Sequence, residues 1–532
     1  MSGDRYDIII VGGGHNGLTC AAYLAQAGRS VLVLEARERV GGAAVTETFH
    51  PGFRNSLASY TVSLLHPQII DELCLHDHGL EIVNRPIGNF MPIDASTALA
   101  TGATLEDTQA EFAKHSRHDA RVLPDYYAWL ERAARVLRSR LLETPPNAGG
   151  GLADLWRAGR LANDLRKLDS EDRDAVLSLF TASAADVLDG WFENPYIKAL
   201  FGFDAVVGNF ASPFAGGSAY VLLHHVFGEV NGVAGAWGHA MGGMGAISDA
   251  MATAATTAGA EIRCASAVSR VVVERGRVVG VTLTDGTTLH APVIAANVTP
   301  KRLCQELIAP GDLPETFLKR VSRTRYGSGT FRMNVALDRA PEFPSRPGAG
   351  PHLSAGIIMA PTLEYMERAY SDARTEGWSR EPIVEMLVPS TLDDSLAPEG
   401  KHVASLFCQH VAPELPDGRD WDDARDTVAQ HMINTVDRFA PGFADSVLGY
   451  KALSPADLER VLGLTGGDIF HGALALNQLY SARPVIGAAD YRLPVAGLYL
   501  CGSGAHPGGG VTGIPGHNAA REILKDRHWR TG

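Results

Sequence analysis

The stretch from Tyr6 to Glu35 admits few folds. "YDIIIV" (Tyr6 to Val11) is a continuous apolar run rich in β-branched residues, which suits a strand buried on both faces of a parallel sheet. Gly12, Gly14 and Gly17 follow at G-x-G-x-x-G spacing, and "NGLTCAAYLAQAG" reads as a helix with small residues facing the sheet, ending at Gly28. "SVLVLE" (Ser30 to Glu35) is a second buried strand. Each glycine has a physical task. Gly12 permits the tight turn, Gly14 lets backbone approach a pyrophosphate, and Gly17 lets helix close on strand. The helix N-terminus offers N–H donors and a positive dipole end to phosphates. Glu35 stands about twenty residues on, where an acid accepts hydrogen bonds from ribose hydroxyls. The unit predicts a bound dinucleotide. A carboxylate at Glu35 disfavours a 2′-phosphate, and so NADP, but NAD and FAD share the ADP half and this motif does not separate them.

A chain of 532 residues, 45% hydrophobic and 20% charged, exceeds one simple core and predicts two domains, interleaved. Its formal net charge of −13 argues against a nucleic-acid partner, which needs clustered Lys and Arg. Cys20, Cys74, Cys264, Cys304, Cys408 and Cys501 form no CxxC pair, so they read as reduced thiols rather than a redox dithiol or a zinc site. The N-terminal apolar run lacks a basic leader and is too short for a signal peptide, and no stretch reaches the length of a membrane span. The expectation is a cytoplasmic protein, compatible with a peripheral membrane contact and with a homo-oligomer.

The middle of the chain adds a second pattern. "AVSRVVVERGRVVGVTLTDGTTLHAPVIAAN" (Ala267 to Asn297) reads as three strands with hairpin turns at Arg275-Gly276 and Asp285-Gly286, leading into the apolar strand "VIAAN". An alanine-rich helix closed by Gly259 precedes it. A meander of this kind is what an FAD-type fold inserts into its sheet, and its first strand, at Val268, would pass the adenine. The sequon Asn297-Val298-Thr299 reads as chance. Residues 63–231 carry the amphipathic "AWLERAARVLRSRLL", and residues 303–483 mix strand-like "GTFRMNVAL" and "HVASLFCQH" with the helical "ARDTVAQHMINTV". The two segments predict one α+β substrate domain. The nucleotide domain is then assembled from residues 1–62, 232–302 and 484–532.

The chain ends on a second glycine cluster. "AGLYLCG" is a buried strand that reaches Gly502, and after "SGAHPGGGVTG" the run "IPGHNAAREIL" starts a helix with Pro515 in its first turn. Ligands of open α/β sheets sit at the carboxyl ends of such strands. The motifs "VGGAAVTETFHPGFRNSLASY", "GGMGAISDAM" and "GLYLCGSGAHPGGGVTGIPGHNAA" resemble the phytoene desaturase-like flavoproteins of the amine-oxidase branch. Within these they are most similar to the subgroup called pyridine nucleotide-disulphide oxidoreductase domain-containing proteins. The likeness spans nearly the whole chain.

This resemblance implies a glutathione-reductase-type Rossmann fold, FAD as the cofactor, and hydride transfer between flavin N5 and a hydrophobic substrate such as a polyene or other natural product. The residues set to hold FAD are Gly12, Gly13, Gly14, Asn16, Gly17, Glu35, Ala36, Arg37, Gly41, Gly42, Ala43 and Val268 for the ADP half. For the flavin half they are Gly502, Pro507, Gly509, Gly510 and Val511. The branch commonly carries Arg where this chain has Ala43, so that contact is not carried over.

Hydride transfer needs positioning and exclusion of water more than a strong base, and no catalytic cluster stands out. His506 is the candidate catalytic side chain, set against its reading as a loop histidine bonded to backbone; His517 and Tyr60 are weaker candidates. Tyr60, Trp237 and Met244 are candidate substrate contacts, the latter two from the glycine-rich turn "AWGHAMGGMG". His76-Asp77-His78 and His224-His225 lack a convincing metal-ligand set, so no metal is expected. Two other functions fit the same features: an amine oxidase, and a flavoprotein acting mainly as a binding partner.

Overall fold

Apolar strands with no polar face have to be covered on both sides, and the computed structural model, which describes residues 5–224 and 226–526, shows how. Five strands pair in parallel in the order Glu261–Arg263, Val31–Leu34, Ile8–Val11, Val293–Ala296, Leu498–Leu500. Ile9 lies between Leu32 and Ile294 in register, and all three are fully buried. The helices His15–Gln26, Gly245–Thr257 and Ile514–Lys525 pack together beside this sheet. The first and last approach so closely that a Cβ at Gly516 would lie 2.0 Å from the Asn16 carbonyl oxygen.

Two further sheets complete the frame. Val268–Glu274, Arg277–Leu283 and Thr288–His290 form an antiparallel three-stranded sheet, whose turns place Arg275, Gly276 and Gly286 at positive φ. A larger sheet runs in the order Val447–Leu453, Thr330–Leu337, His402–Val411, Trp378–Leu387, Gly356–Met359, Asn89–Pro92, Ala98–Ala100. Its neighbours are antiparallel except Gly356–Met359 on Asn89–Pro92. The result is a mixed α/β fold whose sheets differ in strand orientation.

Alternation along the larger sheet decides where its chemistry points. Met333, Val384, Met386, Leu406 and Cys408 join a core with the helix Trp421–Phe439. The intervening residues Arg332, Phe407 and Glu385 lie in one row across three strands, on the opposite face. No helix of the described residues is long and apolar enough to cross a membrane. All six cysteines are free; the Cys20 and Cys501 thiols hydrogen-bond to one another, 481 positions apart.

Candidate active site

The front glycine loop turns at the carboxyl end of Ile8–Val11. Gly12 has φ 103°, and a Cβ at Gly17 would lie 2.2 Å from the Gly12 carbonyl oxygen, so both positions require glycine. Glu35 reaches back to this loop: its Oε2 accepts from the Gly13 amide at 2.7 Å and its Oε1 from the Arg37 amide at 2.9 Å. The Gly41 amide donates to the Gly13 carbonyl, which lays the Gly41–Gly42 turn against Gly14. The chain entering the strand at Val268 is tied to the same corner, through Ser266 to Glu35 and Ala265 to Arg37. The Arg37 side chain pairs with Glu47.

The rear loop follows Leu498–Leu500, two strands away from the front one. Asn297, between them, fastens front to rear. Its Nδ2 donates to the carbonyls of Gly12 and Gly14 at 3.1 and 3.3 Å, and a Cβ at Gly502 would sit 2.8 Å from its Oδ1. Asn16 Nδ2 donates to Ser503 Oγ at 3.0 Å, a second tie between the clusters. The sequon asparagine is therefore a structural bond. Sequence reading passed over it because its partners are nearly the whole chain apart.

Gly510 and Val511 of the rear loop border a cavity of about 120 Å³, shared with His15, Ala43, Tyr60 and Trp237. His15 Nε2, Asn16 Oδ1 and His471 Nδ1 are enclosed without a hydrogen-bond partner. Burial pulls the imidazole of His15 down to about 4, against a hydrogen bond with the Gly510 backbone, and that of His471 down to about 3. Neutral rings, orphaned polar atoms and backbone bared of Cβ atoms fit a large planar polar ligand with phosphates, as a flavin dinucleotide is. Ala43 borders the cavity with a methyl group only.

The far wall of this cavity carries Asp204, Phe203, Glu385 and Phe407. The Tyr60 hydroxyl donates to Glu385 Oε2, and its ring stacks on Phe407 with centroids 5.0 Å apart. Arg332 lies 4.7 Å from the Tyr60 ring centroid and is anchored by bonds to the Leu406 carbonyl and Ser405 Oγ. Burial raises the Glu385 carboxyl, which Tyr60, Arg85 and Arg332 partly offset, and burial also raises the Tyr60 phenol. Sequence reasoning found Tyr60 and Trp237 but missed Asp204, Arg332 and Glu385. Their signal was available: each is a lone charge within an apolar run, in "FGFDAVV", "FRMNVAL" and "PIVEMLV".

A larger cavity of about 530 Å³ adjoins, with Leu64 bordering both. Pro507, Gly509 and His506 line it. The His506 ring Nε2 lies 3.1 Å from the Arg140 carbonyl, and burial pulls this imidazole down to about 4, leaving it neutral. His517 sits between helices, with Nδ1 on Asn518 Oδ1 and its ring edge-on to Tyr23. Met244, expected at the substrate, is buried in the main core and borders neither cavity, and its turn closes on the strand Thr46–His50. A Cβ at Gly243 or Gly245 would strike Thr46, so those glycines serve packing. His76 Nδ1 bonds the Leu80 carbonyl, and His225 lies outside the described residues. Among the described residues one donor cluster occurs, the exposed His118 and Glu193 around the buried Asp119, which already accepts the Glu193 and Asn194 amides.

A parallel sheet with two fastened glycine loops at its carboxyl ends, facing a buried cavity, defines a dinucleotide-dependent oxidoreductase. Comparison with known proteins agrees. The family described as flavin containing amine oxidoreductase matches residues 17–524. The rat pyridine nucleotide-disulfide oxidoreductase domain-containing protein 2 is 42% identical over 98% of this chain and 94% of its own. A lycopene-forming phytoene desaturase from Pseudescherichia vulneris is 24% identical over 95% of this chain and 96% of its own. The solved cyclohexylamine oxidase from Brevibacterium oxydans shares the fold, with a TM-score of 0.59 at 17% identity, covering 98% of this chain and 99% of that one. The chain belongs to the flavin containing amine oxidoreductase family and is an FAD-dependent oxidoreductase.

Proposed function

We propose that this enzyme is a dehydrogenase or desaturase that moves a hydride between a carbon of a hydrophobic substrate and flavin N5. Bound FAD supplies the two-electron acceptor. The protein's part is to hold the reactants and keep water out. Gly12 to Gly17, Glu35 to Arg37, Gly41 to Ala43 and the backbone near Val268 hold the ADP half. Gly502, Pro507, Gly509, Gly510 and Val511 hold the flavin half, and the N-terminus of Ile514–Lys525 favours negative charge there. On this reading residues 1–62, 232–302 and 484–532 form a glutathione-reductase-type FAD domain that includes the three-stranded meander. Residues 63–231 and 303–483 form an α+β substrate domain. Free cysteines throughout favour a reducing compartment such as the cytoplasm.

The observation that carries the proposal is the convergence of both glycine clusters on one cavity whose far wall sets the aromatic rings of Phe203 and Phe407 beside two carboxyls. The phytoene desaturase relative, named for a polyene substrate, supports the same substrate class. His506 contributes as a neutral ring that holds the Arg140 segment at the larger cavity. A second reading, amine oxidation, draws on the aromatic rings of Tyr60, Phe407 and Trp237 around the smaller cavity. Anaerobic mixing with lipophilic alkenes and with alkyl amines tests both. Bleaching of the flavin band by alkenes is expected; bleaching by amines alone replaces the first reading with the second. An unchanged reductive rate in His506→Ala would confine His506 to structure.

A further inference from the structure

Asp204 stands in the last turn of the helix Pro195–Val206, where the partial negative charge of the helix end opposes a carboxylate. It borders the smaller cavity beside Phe203, Val207 and Phe407. It makes no hydrogen bond or ion pair with any described residue. Glu385, across the same cavity, is bonded by Tyr60 and faced by Arg85 and Arg332. Asp204 has none of that support. Burial, and then the charge of Glu385, push its carboxyl up to about 8, so it is neutral at pH 7.

Asp204 is half-buried on the cavity lining, so its carboxyl loses any partner only when a ligand fills the cavity, at a cost in free energy that an aliphatic side chain at this position would not incur. The cap of this helix is Asn194, which accepts the Tyr196 and Ile197 amides, so Asp204 has no capping role either. A pure hydrocarbon filling the cavity would expel water and leave the carboxyl with nothing to bond.

We infer that the substrate carries a hydrogen-bonding head group, a hydroxyl or an amine, bound by the Asp204 carboxyl in the smaller cavity, with its apolar body along Phe203, Val207 and Ile469. A hydroxyl accepts the carboxyl proton as a hydrogen bond and donates back to the carbonyl oxygen. A neutral amine takes that proton from oxygen to nitrogen and forms an ion pair, with no other bond changed. This rests on the hydrophobic-substrate reading above and narrows it to amphiphiles. Asp204 acts as a specificity determinant.

The test titrates FAD-loaded protein with octan-1-ol, octan-1-amine and oct-1-ene, reading the shift of the flavin absorption band. Wild type, Asp204→Leu and Asp204→Asn are compared, with flavin content and melting temperature recorded for each. Leucine is expected to weaken the alcohol or the amine by about tenfold, the worth of one good hydrogen bond to a buried group, and to leave or improve the alkene. Asparagine, which still hydrogen-bonds, retains most of the alcohol affinity. Which of the two polar probes responds identifies the head group. If all three bind and leucine changes them alike, or if leucine's loss of the alcohol is not relieved by asparagine, the head-group assignment falls while the substrate class stands. If none of the three shifts the flavin in any of the proteins, the hydrophobic-substrate reading falls and the assignment with it.

Discussion

Arg483 holds the rear loop by its guanidinium alone. Nε and Nη2 donate to the Ser503 carbonyl at 3.2 and 2.8 Å, and Nη1 to the carbonyls of Gly472 and Gln478, both at 3.3 Å. Only 2% of this residue is exposed, and the neighbouring Asp468 carboxyl balances its charge. Arg483→Lys keeps the charge but lacks the planar fork, leaving buried carbonyls unpaired at about 1–3 kcal/mol each. The variant is expected to lose flavin on gel filtration and to melt well below wild type. Equal flavin content would show that the loop stands without it. Asp204 supports a second prediction at this scale. Its carboxyl, faced by Glu385, Tyr126 and Tyr127, sits near 8 in the fold against an ordinary 3.8. The folded state therefore keeps a proton that the unfolded chain releases. Stability falls by up to about 1.4 kcal/mol per pH unit as pH rises between those values. Asp204→Asn removes that slope, so its melting-temperature advantage over wild type should widen from pH 5 to pH 8. A constant gap would mean that the carboxyl is solvated.

The elements were legible in the sequence wherever one physical signal dominated. Ile8–Val11, Val31–Leu34 and Leu498–Leu500 are uninterrupted apolar runs, the first followed by Gly12 and the last preceded by Gly497, and Pro515 marks the start of Ile514–Lys525. The residues on and behind the far wall of the smaller cavity were less legible. Arg332, Phe407 and Glu385 come from three strands and meet only through the register of the sheet, which no local pattern states. The helix Leu152–Lys167 defeats the usual reading altogether, because its polar face points inward. Asp164 pairs with Arg140 at 2.8 Å, and Asp154 with Arg157 at 3.1 Å and the Asn147 amide at 2.9 Å. Leu152, Leu155 and Trp156 face out, at 87%, 69% and 65% exposure. Burial therefore stabilises this helix little, and the ties of Asp164 to Arg140 and of Asp154 to the Asn147 amide position it over the larger cavity, which Leu161 and Leu165 border. Replacing Leu152, Leu155 and Trp156 together with serine is expected to move stability by no more than about 0.5 kcal/mol per site in thermal melts. A larger loss would show that these side chains are covered in solution.

At the scale of the whole molecule, the central sheet joins chain segments that synthesis separates widely. Ile8–Val11 and Val31–Leu34 lie near the start, Glu261–Arg263 and Val293–Ala296 in the middle, and Leu498–Leu500 near the end. The front glycine loop follows the first of these strands and the rear one the last, so on the proposed reading each alone presents half of the FAD site. Asn297 and the Asn16–Ser503 bond join them, but His15, Asn16 and His471 keep unpaired polar atoms within the joint. A cofactor that spans both loops thus binds the folded chain and not the unfolded one, and adds about 2.7 kcal/mol at a hundredfold excess over its Kd. Stripping FAD is expected to lower the melting temperature and to expose the chain between Gly502 and Gly513 to proteolysis before the sheet is cut. Adding FAD back should reverse both effects, while ADP-ribose, which can fill only the front half, should recover a smaller part of the melting temperature and leave the rear loop open. Full protection by ADP-ribose would mean that the rear cluster binds no part of the cofactor, and that the two ends of the chain are held by protein contacts alone.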